Sequence, residues 1–230
     1  MKSTLLFVLG VLLFSTSALA DRNAISHSII LVYDNSIMAL PTGFKKEDHD
    51  GKPLEYQNLM RSALTKHFSQ RNFHQAQLSI VTVDRPKVIW EGRATRASLR
   101  KHNKALMNFV KTTPSGCADF SSVTRMIARA ARTSDYPVKE VIFLSPLLHS
   151  GKLVPHPTIP GKVTCERPNE DFAPPKDFFD WLAELQRNTD VELIFWGLDD
   201  DVAHTLADEF DSRDVSYKDF SLIRTRQELR

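Results

Sequence analysis

Small polar residues follow the apolar runs of this sequence, and their types are those that bind ligands or metals. Asp34, Asn35 and Ser36 come directly after one such run, and Ser145 comes directly after another. Carboxylates and hydroxyls can coordinate a hard cation such as Mg²⁺. A serine with a histidine nearby, as Ser145 has in His149, can act as a nucleophile. The sequence therefore raises two chemical possibilities, a metal site and a hydrolytic pair.

The motifs that usually accompany catalysis are missing from the sequence. It contains no Gly-x-Ser-x-Gly elbow, no glycine-rich phosphate loop and no His-Glu-x-x-His segment. Pro146 follows Ser145 directly, so no helix N-terminus is expected there to stabilise an oxyanion. The 34–36 stretch lacks the second aspartate that a phosphotransfer site at a strand end needs. We therefore assign no catalytic residue and expect a protein that is not an enzyme.

Apolar runs and helical periodicities alternate along the chain, which is the pattern of an α/β fold. The turn after the second run is too short for a parallel crossover, so the third run must return antiparallel. We predict a doubly wound, mostly parallel central sheet of about six strands, with one antiparallel edge strand and helices on both faces. The predicted strands are 28–33, 78–83, 88–90, 138–144, 191–196 and 215–217, and the predicted helices are 54–68, 96–111, 119–131, 178–185 and 202–210.

The predicted topology brings the polar residues to one edge of the sheet. Right-handed crossovers place strand 28–33 in the centre, with strand 78–83 on one side and strand 138–144 on the other. Such a sheet binds ligands at the carboxyl ends of its strands, where the strand order reverses. The candidate binding face is therefore made of Asp34, Asn35, Ser36, Ala118, Asp119, Ser145 and, after strand 191–196, Asp199.

The order of elements, with Asp-x-Ser at 34–36 and two helices before the fourth strand, resembles the von Willebrand factor A domain. The resemblance covers about residues 27 to 220 and implies that family's sheet, which holds a divalent cation at its carboxyl-end edge. The family's ligands come from an Asp-x-Ser-x-Ser stretch, a threonine before the third helix and an aspartate after the fourth strand. Asp34 and Ser36 match this pattern, whereas Met38, Ala118 and Ser145 stand at the other three positions.

These departures from the family pattern argue against a bound metal. Mg²⁺ requires several oxygen ligands, and three of the five expected donors are replaced here. We therefore expect no cofactor; if a cation does bind, Asp34 and Ser36 would hold it, with Asp199 as a replacement carboxylate. The alternative role of Asp34 is to accept hydrogen bonds from backbone N–H groups at the strand end. The alternative role of residues 199–201 is to cap the helix that follows them.

The first twenty residues have the pattern of a secretory signal peptide. A lysine precedes the apolar run Leu5–Phe14, and residues 18–20 have the small-x-small pattern that signal peptidase cleaves. We predict that residues 1–20 are the signal peptide and that residues 21–230 form one domain, exported to the periplasm or secreted. Residues 146–175 hold seven of the twelve prolines, which predicts an inserted surface loop.

The two cysteines are predicted to lie at the same edge of the sheet. Cys117 is in the turn before the third helix, and Cys165 is in the proline-rich loop. An exported protein meets an oxidising environment, so we predict a disulfide between them. The alternatives are a reactive thiol and a zinc site of Cys165, His149 and His156, whose spacing fits no standard ligand pattern.

Charge and hydropathy restrict the partners. The formal net charge of +2, from 30 basic and 28 acidic residues, gives no electrostatic case for nucleic acid. No run after the signal peptide approaches the roughly 18 apolar residues of a membrane span. The sequence thus predicts an exported binding module that docks another protein, as an accessory of a cell-envelope assembly, through a metal-free face. The alternatives are a metal-dependent adhesion or ligand-binding domain and, less favoured, a periplasmic hydrolase.

Overall fold

The structure is a computed structural model. It describes residues 24–34, 36, 75–84, 86–95, 98, 116–150, 152–155, 157–161, 163–166, 173–198 and 200–220. In chain order, the elements with described bounds are β1 His27–Tyr33, β2 Ala76–Thr82, β3 Val88–Arg93, α1 Phe120–Thr133, β4 Val138–Leu144, β5 Leu153–Pro155, β6 Val163–Cys165, α2 Lys176–Asn188, β7 Glu192–Trp196, α3 Asp200–Asp211 and β8 Tyr217–Phe220.

Six of these strands form one twisted sheet in the order β3-β2-β1-β4-β7-β8. The β2–β3 pair is antiparallel, and the other neighbours are parallel. The inner strands are nearly continuous apolar runs because both faces of a parallel sheet are covered; in β1, five of seven residues are buried. The predicted doubly wound sheet, its central strand and its antiparallel edge strand are confirmed.

Helices α1, α2 and α3 pack on one face of the sheet. Their buried aromatic side chains meet those of β4 and β7, in a cluster that includes Phe120, Phe143, Phe178, Phe195 and Phe210. Phe178 contacts Phe120 and Phe143 edge-on, with ring centroids 5.5 and 5.8 Å apart. The opposite face of the sheet is also buried, and its apolar residues form a second cluster. The two clusters cover both faces of the sheet, so a site must lie at the ends of the strands.

Two predicted elements differ from the structure. The last strand was expected at 215–217 but spans Tyr217–Phe220, because Asp214 turns the chain (φ 56°) and β8 then pairs with β7. The proline-rich segment was expected to be a loop, but it contains the two-stranded ribbon β5–β6. The predicted helices 54–68 and 96–111 lie outside the described residues except at Ser98, whose N–H donates to Thr95 Oγ1 (3.1 Å), the geometry of a helix N-cap.

The described helices are short. None of them is long and apolar enough to cross a lipid bilayer.

Candidate functional site

The strand register places Asp34 and Ser145 side by side. Tyr33 is opposite Leu144 in the parallel β1–β4 pair, so the next residue of each strand lies at the same carboxyl-end edge. The Asp34 N–H donates to the Leu144 carbonyl (3.0 Å), which extends the pairing by one residue. We call this edge of the sheet, with the 116–119 turn and the 145–150 segment that lie on it, the top face.

The carboxylate of Asp34 is enclosed by hydrogen bonds. Asp34 is 1% exposed; its Oδ1 accepts from the Ser36 N–H (2.9 Å), and its Oδ2 accepts from the Ser145 hydroxyl (2.6 Å). The Ser145 hydroxyl oxygen accepts in turn from the Leu147 N–H (2.9 Å). The carboxylate therefore has a protein donor on each oxygen, in the strand-end arrangement that the sequence offered as its alternative role.

Burial dominates the electrostatics of this site. It raises the pKa of Asp34 above its ordinary value, and the hydrogen bonds from Ser145 and Ser36 act in the opposite direction. The negative charge of Asp84 adds a smaller upward effect on the same pKa. Burial also raises the pKa of Tyr33, the preceding residue. A carboxylate with a raised pKa holds its proton more readily than a surface aspartate does.

Asp84 is a top-face residue that the sequence argument missed. It belongs to the short turn after the second apolar run, yet the register that pairs Tyr33 with Thr82 puts residue 84 at the same edge as Asp34. Aligning the apolar runs of β1 and β2 as parallel neighbours would have predicted that Asp84 lies at this edge. Its backbone also shapes the site: a Cβ on Gly116 would lie 2.6 Å from the Asp84 carbonyl oxygen, so the chain passes this point only as glycine.

The 116–119 turn is bonded to the 145–150 segment. The Ala118 N–H donates to the Ser150 hydroxyl, and the Ser150 N–H donates to the Ala118 carbonyl, both at 2.9 Å. Asp119 is the N-cap of α1, where its Oδ1 accepts from the Ser122 N–H (3.1 Å). Leu147 holds a positive φ of 59° while fully buried, which shows how tightly the segment is packed.

His149 continues this set of bonds. Its Nδ1 accepts from the N–H of Phe120, the first residue of α1, at 3.3 Å. Burial lowers the pKa of His149, and the negative charges of Asp119 and Asp177 act against that effect. A ring nitrogen that accepts a hydrogen bond carries no proton. The bond to Nδ1 therefore requires the neutral form of the ring, which the lowered pKa of His149 also favours.

The predicted pairing of the cysteines is present. Cys117 and Cys165 form a disulfide with an S–S distance of 2.16 Å and a Cα–Cα distance of 5.7 Å. The bond ties the end of β6 to the turn before α1, so the ribbon is fixed beside the top face. Because this bond occupies the Cys165 sulfur, the alternative zinc site of Cys165, His149 and His156 is wrong for this form of the protein.

The hydrolytic pair suggested by the sequence is not formed. The Ser145 hydroxyl is fully buried and donates to Asp34, whereas His149 accepts from the backbone of α1. Neither bond orients the imidazole as a base toward the hydroxyl, which nucleophilic activation needs. Two residues of the predicted face, Asn35 and Asp199, lie outside the described residues.

The described donors fit the family's divalent cation poorly. Ala118 offers no side-chain oxygen, and both carboxylate oxygens of Asp34 already accept protein hydrogen bonds. Mg²⁺ requires near-octahedral oxygen coordination. Within the described ranges, no three or more His, Cys, Asp or Glu side chains are arranged as a metal-binding group. Met38, at another of the family's ligand positions, is outside these ranges.

The sheet topology and two solved structures with TM-scores above 0.5 identify the fold. The pilus adhesin SpaC from Lactobacillus rhamnosus GG superposes with a TM-score of 0.55 and 14% identity, over 90% of this chain and 30% of the adhesin. The PilB minor pilin from Streptococcus sanguinis gives 0.52 and 11%, over 90% of this chain and 60% of the pilin. The SpRpn10 VWA domain gives 0.49 and 13%, over 86% of this chain and 88% of that domain.

The fold is von Willebrand factor A-like. This confirms the resemblance seen in the sequence, with the sheet order and the antiparallel edge strand that it implies. No protein-family model and no curated protein sequence matches the chain. The chain spans less than two thirds of the length of the adhesin and of the pilin. The top face is the edge of the sheet at which, by the resemblance seen in the sequence, that family holds its cation.

Proposed function

We propose that this chain is an exported protein-binding module whose top face keeps a fixed shape without a metal ion, as an accessory of a cell-envelope assembly. The observation that carries the proposal is the hydrogen bond from the Ser145 hydroxyl to the buried carboxylate of Asp34. In the resembled family a cation completes this edge of the sheet. Here a protein hydroxyl supplies the partner that the carboxylate needs.

The exchange of a cation for a hydroxyl is physically reasonable. A buried carboxylate is costly unless its oxygens are hydrogen-bonded. The Ser36 N–H and the Ser145 hydroxyl meet that need from two sides, and the raised pKa of Asp34 favours its neutral form. The hydrogen bonds occupy the carboxylate oxygens that a cation would need, and the raised pKa reduces the negative charge available to attract Mg²⁺. Both observations support a metal-free site.

The bonds around α1 support a preformed binding surface. The 145–150 segment is joined to the 116–120 segment by three hydrogen bonds, and the disulfide fixes the adjoining ribbon. A surface that is ordered before binding loses less conformational entropy when a partner docks. The solved structures with this fold include a pilus adhesin and a minor pilin, which is in keeping with a binding role at the cell envelope.

Metal titration tests the proposal. The wild-type mature chain is expected to show no heat of binding and no change in melting temperature with millimolar Mg²⁺, Mn²⁺ or Ca²⁺. The double variant Ala118→Thr/Ser145→Asp restores two of the family's donors, so it should be destabilised by the added buried charge and rescued by Mg²⁺. The matched control is Ala118→Thr/Ser145→Asn, which has the same shape without the charge and should show no rescue.

Two results would overturn the metal-free site. Micromolar cation binding by the wild type that disappears in Asp34→Ala would support the alternative, a metal-dependent ligand-binding domain. Turnover of an ester or phosphoester by the wild type that disappears in Ser145→Ala would support a hydrolase instead of a binding module.

Partner capture tests the role of the top face. Half-buried Leu148 lies in the 145–150 segment, and Asp190 lies before β7, at the opposite edge of the sheet. A tagged mature chain is expected to retain a defined envelope protein, to lose it in Leu148→Lys and to keep it in the control Asp190→Asn. Equal capture by both variants would place the binding surface elsewhere.

A further inference from the structure

The ribbon β5–β6 and its turn carry three of the four exposed large hydrophobic side chains in the described structure. Four large hydrophobic side chains are exposed in the described part of the chain. Val88 (37%) lies on the edge strand β3, whereas Leu153 (44%), Ile159 (40%) and Val163 (60%) lie on the ribbon or its turn. Single exposed apolar residues need no explanation, but a group on one small element marks an interaction surface.

The hydrogen-bond pattern shows which backbone groups of the ribbon face outward. The Glu166 N–H donates to the carbonyl of Lys152, its directly opposite residue (2.9 Å). Bonded and non-bonded pairs alternate along an antiparallel ladder, so the bonded pair inside the ribbon is Val154 with Thr164. At the pairs 153/165 and 155/163, the backbone N–H and C=O groups therefore point away from the partner strand.

The two outer edges of the ribbon differ. On β5, one of the two outward positions is Pro155, which has no N–H and so protects that edge against pairing. On β6, Val163 and Cys165 both keep outward N–H and C=O groups, but Cys165 is only 6% exposed, so the accessible part of this edge lies around Val163. Among the backbone bonds of the described residues, none outside the ribbon involves Val163 or Cys165. Pro155 therefore prevents pairing at the β5 edge, whereas the β6 edge can form hydrogen bonds with a further strand.

The open edge is held in place at one end, and the sequence around it is rich in basic residues. The disulfide at Cys165 fixes one end of β6 to the domain, while Val163 near the other end is 60% exposed. By sequence, segment 151–167 carries three cationic residues (Lys152, Lys162 and Arg167) and one anionic residue, Glu166. A partner segment that is apolar and acidic would complement both its side chains and its charge.

We propose that the ribbon receives an extended, apolar and acidic segment of the partner protein, which adds to β6 as a third strand. This inference rests on the proposed function, because it names the part of the partner that a binding module of this shape would hold. Strand addition takes its affinity from main-chain hydrogen bonds and its specificity from alternate side chains. Pro155 directs the segment to β6, and Leu153 and Val163 contact its apolar side chains.

A defined peptide tests strand addition directly. The probe is the peptide Glu-Val-Thr-Val-Thr-Val-Glu-amide with fluorescein on its N-terminal amine, into which the oxidised mature chain is titrated while fluorescence anisotropy is followed. Saturable binding is expected, with new protection from hydrogen exchange at the N–H group of the exposed Val163. The same peptide with lysine in place of both glutamates should bind more weakly, by about fivefold, because it is repelled by the basic segment.

One pair of variants separates the backbone from the side chain. Val163→Pro removes an outward N–H without touching a bond of the ribbon, and should weaken the peptide by about fivefold to tenfold, the effect of one lost hydrogen bond. Val163→Thr keeps the N–H and the β-branched shape, and should stay within about twofold of wild type. Should Val163→Pro fail to fold, a peptide N-methylated at its central valine gives the same test from the other side.

The contradicting outcomes are distinct. No peptide binding, or equal binding by Val163→Pro, overturns the proposal. A dimer of the wild-type chain that Val163→Pro abolishes would also overturn it, because the strand would then come from a second copy. If the native partner is lost in Leu148→Lys but kept in Val163→Pro, the proposed function stands and strand addition fails.

Discussion

Ser145 shows how one hydroxyl can replace a cation at the carboxyl-end edge of the sheet. It follows β4 at the position where the resembled family has an aspartate, and its neighbour across the sheet is Asp34. A second carboxylate there would place two like charges side by side, which only a cation or a shared proton between them would offset. A hydroxyl instead donates to the first carboxylate and accepts from Leu147, so the same strand ends are closed by protein atoms alone.

His149 is expected to make the stability of the domain pH-dependent. Its folded-state pKa is lowered below the usual value of about 6.5, so the folded chain binds fewer protons than the unfolded chain just below that pH. The stability due to the neutral imidazole is therefore complete above pH 6.5 or so and is lost as the pH falls. Protonation also removes the acceptor of the Phe120 N–H and places a cation at the N-terminus of α1.

The measurement is urea unfolding between about pH 7.5 and pH 5.5, with His149→Asn as the comparison. Asn offers an acceptor at a similar place but does not titrate. The wild type should lose roughly 1 kcal/mol more than the variant over this range, the net effect of one hydrogen bond. Asp119 and Asp177 reduce the loss by stabilising the protonated ring. Superimposable pH profiles would show that His149 does not titrate in this way.

At the level of elements, the disulfide does more than join two turns. It links residues 48 apart in sequence, between the start of α1 and the end of β6. The double variant Cys117→Ser/Cys165→Ser is expected to lose up to about 4 kcal/mol of unfolding free energy, from the chain entropy that the closed loop removes from the unfolded state. Urea unfolding of the oxidised wild type and the variant measures the difference.

Reduced wild type is the control for the serine substitutions, and it should behave like the double variant. Hydrogen exchange adds a local readout: the N–H groups of Val154 and Thr164, which pair inside the ribbon, should lose protection while those of β1 and β4 keep theirs. Unchanged stability together with unchanged ribbon protection would mean that the ribbon is held by its other contacts.

The elements that the sequence predicts best are those whose pattern has one explanation. Strands β1, β4 and β7 are continuous apolar runs, which only a sheet covered on both faces accommodates at this length. The ribbon was missed because Pro155, Pro157 and Pro160 make the segment look irregular. Pro155 is in fact at an outward position, where the ladder needs no N–H, and that position becomes visible only once the register is known.

The same limit applies to the site. The Asp34–Ser145 neighbourhood follows from strand order, because both residues directly follow adjacent parallel strands. The partners of Ala118 do not follow from any local pattern, since Ser150 lies 32 residues away in a segment without regular structure. The position of Asp84 at the top face follows from the register of β1 with β2, but the sequence pattern by itself indicates only that Asp84 lies in a turn. Contacts that depend on the path of an irregular segment require the three-dimensional structure.

At the scale of the whole molecule, the compartment and the disulfide depend on each other. The two cysteines pair in the folded structure, and such pairs persist in oxidising compartments. The apolar run Leu5–Phe14 and the small residues at 18 and 20 would deliver the chain to such a compartment. The disulfide that fixes the ribbon, and with it the shape of the proposed strand-binding edge, therefore depends on export to an oxidising compartment.

Export is expected to remove residues 1–20 and to oxidise both thiols. The full chain, expressed with its own N-terminus in a bacterium, should appear in the periplasm or medium with Asp21 as its first residue and no free thiol. Leu9→Arg places a charge in the apolar run and should leave the chain uncleaved, cytoplasmic and reduced, whereas Leu9→Val should be processed normally. N-terminal sequencing and intact mass before and after reduction check both points together. An uncleaved wild-type chain with two free thiols would contradict both export and the disulfide, whereas an uncleaved chain with the bond intact would show that the disulfide does not depend on export.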